Sequence, residues 1–199
     1  MSKTLLFIGD SITESGRFED PDGIGTGYVK FLQDDILRKN PDWTILNRGV
    51  SGDKVWDLEK RWDKDVLAHE PDVLSVSIGV NDVWHQLDHP EDQQVTPDEF
   101  EQVYRKLLNQ LSKDTRLILM EPTIIEEDPV SKGNQELAVY AEIVRLLAEE
   151  YRAFYVPTYA AFMETLAKGN HPPLTTDGVH MTEAGNRFMA AIWKANVSL

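Results

Sequence analysis

Short apolar runs alternate along the chain with longer segments in which apolar residues return every three or four positions. The runs occupy residues 5–8, 44–46, 73–78, 116–120 and 154–156. Each is brief and mostly β-branched or aliphatic, which predicts strands buried on both faces. The periodic segments predict helices with one apolar face. Val55, Leu58, Trp62 and Val66 make the first stripe, and Phe100, Val103, Tyr104, Leu107, Leu108 and Leu111 the second. Leu137, Tyr140, Val144, Leu147 and Tyr151 make the third, and Ala184, Phe188, Ala191 and Ile192 the last. The second stripe opens on Thr96-Pro97-Asp98-Glu99: a capping threonine, proline at the first helical position and glutamate at the third. The polar stretches 19–27, 88–96, 126–133 and 171–176 read as surface loops.

Strands alternating with helices predict the α/β class, as a three-layer α/β/α sandwich around a central five-stranded parallel sheet. Ligands of such sheets gather at the carboxyl ends of the strands. The 199 residues, with no repeat and no low-complexity linker, are read as a single domain, 1–199.

Composition narrows the chemistry. There are no cysteines, which excludes a disulfide framework, a cysteine nucleophile and a thiolate metal site. The formal net charge of −14 repels phosphate backbones and anionic headgroups, so neither nucleic acid nor a membrane surface is an expected partner. The apolar run after Met1-Ser2-Lys3-Thr4 is too short for the core of a signal peptide, and nothing approaches the roughly 20 apolar residues of a membrane helix. The cytoplasm is the expected location.

Four blocks carry candidate chemistry. Ser11, in Gly9-Asp10-Ser11, follows the first strand. It has the position of a nucleophile at a carboxyl strand end, although Ser11 and Glu14 also have the spacing of a plain capping box. In Asp177-Gly178-Val179-His180, the carboxylate three residues before the imidazole can fold back to its Nδ1 proton and leave Nε2 free, as a serine's base requires. The alternative is an aspartate turn beside a surface histidine. Asn81, in Gly79-Val80-Asn81-Asp82, follows the third strand and has an amide to offer a developing oxyanion, or is part of a Gly-Asn turn. Gly52, after Asn47-Arg48-Gly49-Val50-Ser51, leaves its backbone N–H open to a ligand, or is simply a turn glycine. Each signal is weak alone. Together they fall on segments that an open parallel sheet brings to one edge.

With these blocks in place the chain resembles the SGNH, or GDSL-type, hydrolases, named for a serine, a glycine, an asparagine and a histidine in separate blocks. Here these are Ser11, Gly52, Asn81 and His180, in order along the whole chain. Ile12 stands where the GDSL name has leucine. The Gly-x-Ser-x-Gly elbow of α/β-hydrolases is missing, which fits a distinct, flavodoxin-like scaffold. The resemblance implies a serine esterase with Ser11 as nucleophile, His180 as base and Asp177 as its orienting carboxylate. It implies an oxyanion hole made of the Ser11 N–H, the Gly52 N–H and the Asn81 amide, and it requires no metal or organic cofactor. Residues 10–13 with Gly16-Arg17, residues 25–29 and Asn81-Asp82-Val83-Trp84 resemble the branch that deacetylates plant-cell-wall sugars, including intracellular acetylxylan esterases. Substrate is then an acetylated sugar ester, with Asp10 and Trp84 as binding residues, and a homo-oligomer is carried over from the same branch. Trp84 as a core or interface residue is the competing reading.

Three alternatives stay open: a lipase, lysophospholipase or thioesterase with an acyl channel, a non-catalytic carbohydrate-binding relative, and a metal hydrolase. The last would use His85 and His89 with Asp82 and Asp88. Gln86-Leu87-Asp88 does not make the zinc-protease pattern, and Pro90 ends the helix.

Overall fold

The computed structural model of the protein describes residues 2–199. The five apolar runs become β1 (Thr4–Gly9), β2 (Thr44–Gly49), β3 (Val73–Ser77), β4 (Arg116–Met120) and β5 (Phe154–Val156). They form one parallel sheet in the order β2-β1-β3-β4-β5. β2 runs on to Gly49, beyond the apolar run 44–46. It is an edge strand with alternating burial, so Asn47 and Arg48 fit it without extending the apolar pattern. β3 is buried throughout, and in β1 Leu5, Leu6, Phe7 and Ile8 have no exposed surface. Each such side chain contributes about 1.5–3 kcal/mol when fully removed from water.

Among the described residues, eight α-helices connect or follow the strands. They are α1 (Ser11–Glu14), α2 (Tyr28–Lys39), α3 (Val55–Asp65), α4 (Val80–Asp88), α5 (Pro97–Leu108), α6 (Lys132–Glu150), α7 (Thr158–Lys168) and α8 (Glu183–Asn196), with a 3₁₀ turn at Leu67–His69. α2 and α7 pack on α8, while α3 packs on α5 and α5 on α6, so helices cover both faces of the sheet. The expected three-layer α/β class and parallel sheet are what the structure has.

The four stripes fall on α3, α5, α6 and α8. Thr96 and Glu99 form the expected capping box, with each side chain accepting from the other's backbone N–H at 3.3 and 3.0 Å. The face of α8 needs correction. Its core side carries Gly185, Met189, Ala190, Ile192 and Trp193, whereas Ala191 is exposed and Phe188 is half-buried. Ala184 and Ala191 are too small to mark a face, and Met189 and Trp193 set it. Stretch 126–133 also ends earlier than expected, because α6 begins at Lys132. No helix among the described residues is long and apolar enough to cross a membrane.

From β1 the chain moves outward to β2, then returns across β1 to β3. The order therefore reverses between β1 and β3, and a crevice opens there at the carboxyl ends. α1 lies across that edge because glycines let it come close. A Cβ at Gly49 would stand 2.2 Å from the Glu14 nitrogen, and one at Gly9 would stand 2.6 Å from the Thr13 hydroxyl oxygen.

Candidate active site

The strand end at Gly9 delivers Ser11 to the crevice. Asp10, not Ser11, is the cap of α1: its backbone is extended and its Oδ1 accepts the Ile12 N–H at 3.0 Å. The Ser11–Glu14 capping box is therefore not formed, and Glu14 Oε2 instead accepts from the Ser51 hydroxyl at 3.1 Å. Freed from capping, Ser11 Oγ lies 3.0 Å from His180 Nε2, with the residue 8% exposed.

His180 and Asp177 meet as their spacing suggests. Asp177 Oδ2 is 2.6 Å from His180 Nδ1, and its Oδ1 accepts from the backbone N–H groups of Val179 (3.0 Å) and His180 (2.8 Å). Gly178, at φ +96°, makes the turn that folds the carboxylate back. Burial works against the charge of Asp177, but the imidazole and two backbone N–H groups outweigh it and hold the carboxyl at about 2. An ionised acceptor at Nδ1 fixes the proton there and leaves the Nε2 lone pair toward the serine hydroxyl.

The loop carrying this pair is clamped from outside. Glu127 Oε1 accepts the Leu174 N–H (2.7 Å), the Thr175 N–H (2.6 Å) and the Thr175 hydroxyl (2.8 Å), and Glu126 N–H donates to the Gly178 carbonyl at 2.7 Å. Sequence reading missed Glu127, whose partners lie 47 and 48 residues away and leave no local pattern.

Gly52 follows β2 in an exposed turn at φ +82°, where a Cβ would meet nothing. Backbone conformation, rather than crowding, calls for glycine here. Asn81 stands in the first turn of α4, and its Nδ2 donates to the Asp53 carbonyl at 3.0 Å. One amide hydrogen is so engaged and the other is uncommitted. Asn47 of the second block holds the scaffold: its amide donates to the carbonyls of Thr13 (2.6 Å) and Ile24 (2.8 Å).

Two carboxyls lie beneath this edge, Asp10 at 2% and Asp82 at 0% exposure. Burial pushes both up to about 7, partly opposed by the N–H groups of Ile12 and Val55 respectively, and the neighbouring Asp10 pushes Asp82 further. Asp82 Oδ1 accepts from Val55 at 3.1 Å while Oδ2 has no protein partner. Asp10 is thus placed under the serine, capping α1, and not in the wall of the cleft. Trp84 lies beside His180, half-buried and packed against the core, and is not among the residues that wall the cleft. Its ring centroid is 5.9 Å from that of His180, edge to face.

The cleft at Ser11 has a volume of about 180 Å³ and is walled by Ile12, Glu14, Ser15, Ser51, Met181 and Asn186 with Ser11 and His180. A larger hollow of about 430 Å³, near Leu67, Asp72 and Thr115, sits at the amino ends of β3 and β4, away from the crevice. The histidines of the metal alternative are engaged with nearby carboxylates, His85 with Asp92 at 3.1 Å and His89 with Glu91 at 3.8 Å. Among the described residues no group of three or more histidines, aspartates or glutamates is arranged to hold a metal ion.

A parallel sheet in this order, with serine, glycine, asparagine and histidine on the loops and first helical turns at its carboxyl edge, defines the SGNH class of hydrolases. Residues 7–188 match the GDSL-like Lipase/Acylhydrolase family. The chain belongs to that family and is a carboxylic ester hydrolase of the acetylesterase-like kind. It is 38% identical over 197 residues to an acetylxylan esterase of Geobacillus stearothermophilus, spanning 94% of this chain and 90% of that one. An arylesterase of Vibrio mimicus is 31% identical over 81 residues, 41% of this chain and 38% of that one. The solved structure of a catalytic mutant of the Geobacillus enzyme superposes with a TM-score of 0.90 at 33% identity, covering 100% of this chain and 96% of that one. An alpha/beta hydrolase enzyme from the metagenome of Lake Arreo, Spain, superposes at 0.89 with 31% identity, covering 98% and 96%.

Proposed function

We propose that this enzyme removes acetyl groups from acetylated xylo-oligosaccharides through an acetyl-enzyme on Ser11. The observation that carries the reading is the unbroken line from Ser11 Oγ through His180 to Asp177, at 3.0 and 2.6 Å, opening on a cleft of about 180 Å³. A hydroxyl is a weak nucleophile until a base takes its proton, and His180 Nε2 stands within reach to do so. Oγ then attacks the acetyl carbon, and negative charge collects on the carbonyl oxygen. The Ser11 and Gly52 N–H groups and the second amide hydrogen of Asn81 are the donors for that charge. His180 returns the proton to the departing sugar oxygen, leaving acetyl on Ser11. Water, deprotonated by His180, attacks the ester, and acetate leaves as Ser11 regains its proton. Asp177 stays ionised throughout and stabilises the imidazolium.

Three observations support this reading. The relative at 38% identity is an acetylxylan esterase, and a solved form of it is an acetyl-xylooligosaccharide esterase. Solved catalytic mutants of that enzyme replace a serine, and an aspartate and a histidine three positions apart, the spacing of Asp177 and His180. The cleft volume is below the roughly 300–1,000 Å³ of ordinary ligand pockets, which favours a short acyl group. Trp84, beside the base, is read as the indole that borders the sugar. Simple aryl esters are the second reading, favoured by the partial arylesterase match.

The test is a series of 4-nitrophenyl acetate, butyrate and octanoate beside peracetylated xylobiose. We expect kcat/KM to fall with chain length and acetate to be released from the sugar. An acyl channel would instead gain up to about 0.8 kcal/mol per buried CH₂. Rates that climb with chain length, with no acetate from sugar, contradict the assignment.

A further inference from the structure

Arg61 sits on α3, outside the walls of the cleft, and its guanidinium reaches three segments at the carboxyl edge of the sheet. Nη2 donates to the carbonyl of Gly9, two residues before Ser11, at 3.0 Å. Nη1 donates to the carbonyl of Arg48, the penultimate residue of β2, at 2.7 Å, and to Asp65 Oδ2 at 3.0 Å. Nε donates to Asp53 Oδ2 at 2.6 Å, and Asp53 directly follows Gly52. The backbone carbonyl of Asp53 is the acceptor for Asn81 Nδ2, at 3.0 Å. One side chain therefore holds, directly or through Asp53, the three segments that carry Ser11, Gly52 and Asn81.

We propose that Arg61 is a positioning residue for the oxyanion cradle, fixing the relative placement of its three donors without touching a reacting atom. The inference rests on the reading of Ser11, Gly52 and Asn81 as those donors. Its physical basis is the planar fork of arginine, which can donate in several fixed directions at once. The pair with Asp53 is largely shielded, with the two side chains 15% and 10% exposed, so water screens it little. Lysine, a single point of charge on a flexible stem, would satisfy one acceptor and leave the Gly9 or Arg48 carbonyl without its partner. The sheet and core would persist, because neither depends on this fork. What would change is the register between donors that must all meet one oxygen in the transition state.

The test measures kcat and KM on 4-nitrophenyl acetate, with melting temperature, for the parent, Arg61→Lys, Arg61→Gln, Asn81→Ala and the double variant Arg61→Gln/Asn81→Ala. Misplacement by about 1 Å costs on the order of 10²-fold, so Arg61→Gln should lower kcat by about that factor with KM changed less than about twofold. Arg61→Lys should recover only part of the loss. With Asn81 already truncated, Arg61→Gln should cost less than about fivefold more, because the two residues act on one cradle. Loss confined to KM, full additivity, or parent-like kcat in both Arg61 variants would overturn the proposal while a damaging Asn81→Ala left the esterase mechanism standing. A silent Asn81→Ala would overturn the oxyanion reading and this inference with it. If Arg61→Gln does not fold, Asp53→Asn applies the same test: it keeps the carbonyl for Asn81, loosens the fork, and should give the same selective fall in kcat, whereas parent-like kcat overturns the proposal.

Discussion

Asp177→Asn is the most discriminating single substitution in the base, because the structure dictates how the new amide must sit. Asp177 Oδ1 accepts two backbone N–H groups, from Val179 at 3.0 Å and His180 at 2.8 Å. Those donors accept only an oxygen in that place, so the asparagine carbonyl takes it and the NH₂ group is turned toward His180 Nδ1, where the carboxylate stood 2.6 Å away. A donor facing Nδ1 forces the imidazole proton to Nε2, pointing it at the Ser11 hydroxyl. The base then has no lone pair for the proton it must take. The backbone bonds that shape the turn remain, so the loop should keep its form and the melting temperature should stay close to that of the parent. The expected loss in kcat is on the order of 10⁴-fold, the magnitude seen when a triad histidine is locked in the wrong tautomer. That corresponds to about 5 kcal/mol of transition-state stabilisation. Steady-state hydrolysis of 4-nitrophenyl acetate by the folded variant measures it. Activity within about tenfold of the parent would mean that Asp177 does not set the tautomer.

Other outcomes follow from the buried carboxyls and the packed glycine. Asp10 and Asp82 titrate near 7 in the fold, against about 3.9 in an unfolded chain, so between these values the folded state holds protons that the unfolded chain has released. Stability should therefore fall as pH rises from about 4 to about 7, and Asp82→Asn should flatten that fall. Urea midpoints at pH 5 and pH 8 measure this, and equal pH slopes in parent and variant would refute it. Gly49→Ala puts a Cβ 2.2 Å from the Glu14 nitrogen and 2.6 Å from the Thr13 carbonyl carbon, both backbone atoms. Overpacking of this kind should cost about 1–3 kcal/mol and lower activity by displacing the turn that carries Ser11. An unchanged melting temperature would show that α1 does not depend on the close approach.

The strands were legible because five apolar runs are what a sheet covered on both faces demands. The site blocks were legible because each follows a strand or precedes the last helix. Three helices were not read. α2 carries Tyr28, Val29, Leu32 and Ile36 on one face but begins after Gly27, with no side-chain cap to announce it. α7 likewise starts after Pro157 without a side-chain cap, and α4 hides its first turn in Gly79-Val80-Asn81, which has the composition of a turn. The capping duty of Asp10 was hidden by one residue of register, since Ser11-x-x-Glu14 satisfies the capping pattern equally well. Arg61 and Glu127 left no trace in sequence. Their partners, Gly9 and Arg48 for one and Leu174 and Thr175 for the other, are brought near only by the order of the strands and the return of the C-terminal loop.

The central claim is an acetyl-enzyme on Ser11. Acid-quenching the enzyme within milliseconds of mixing with 4-nitrophenyl acetate, followed by peptide mass analysis, tests it without intermediary assumptions. The peptide containing Ser11 should gain the mass of one acetyl group, the modification should decay at the rate of turnover, and the Ser11→Ala protein should show neither the adduct nor measurable hydrolysis. Acetyl found on another residue, or a folded Ser11→Ala protein that turns over at the parent rate, would contradict the account.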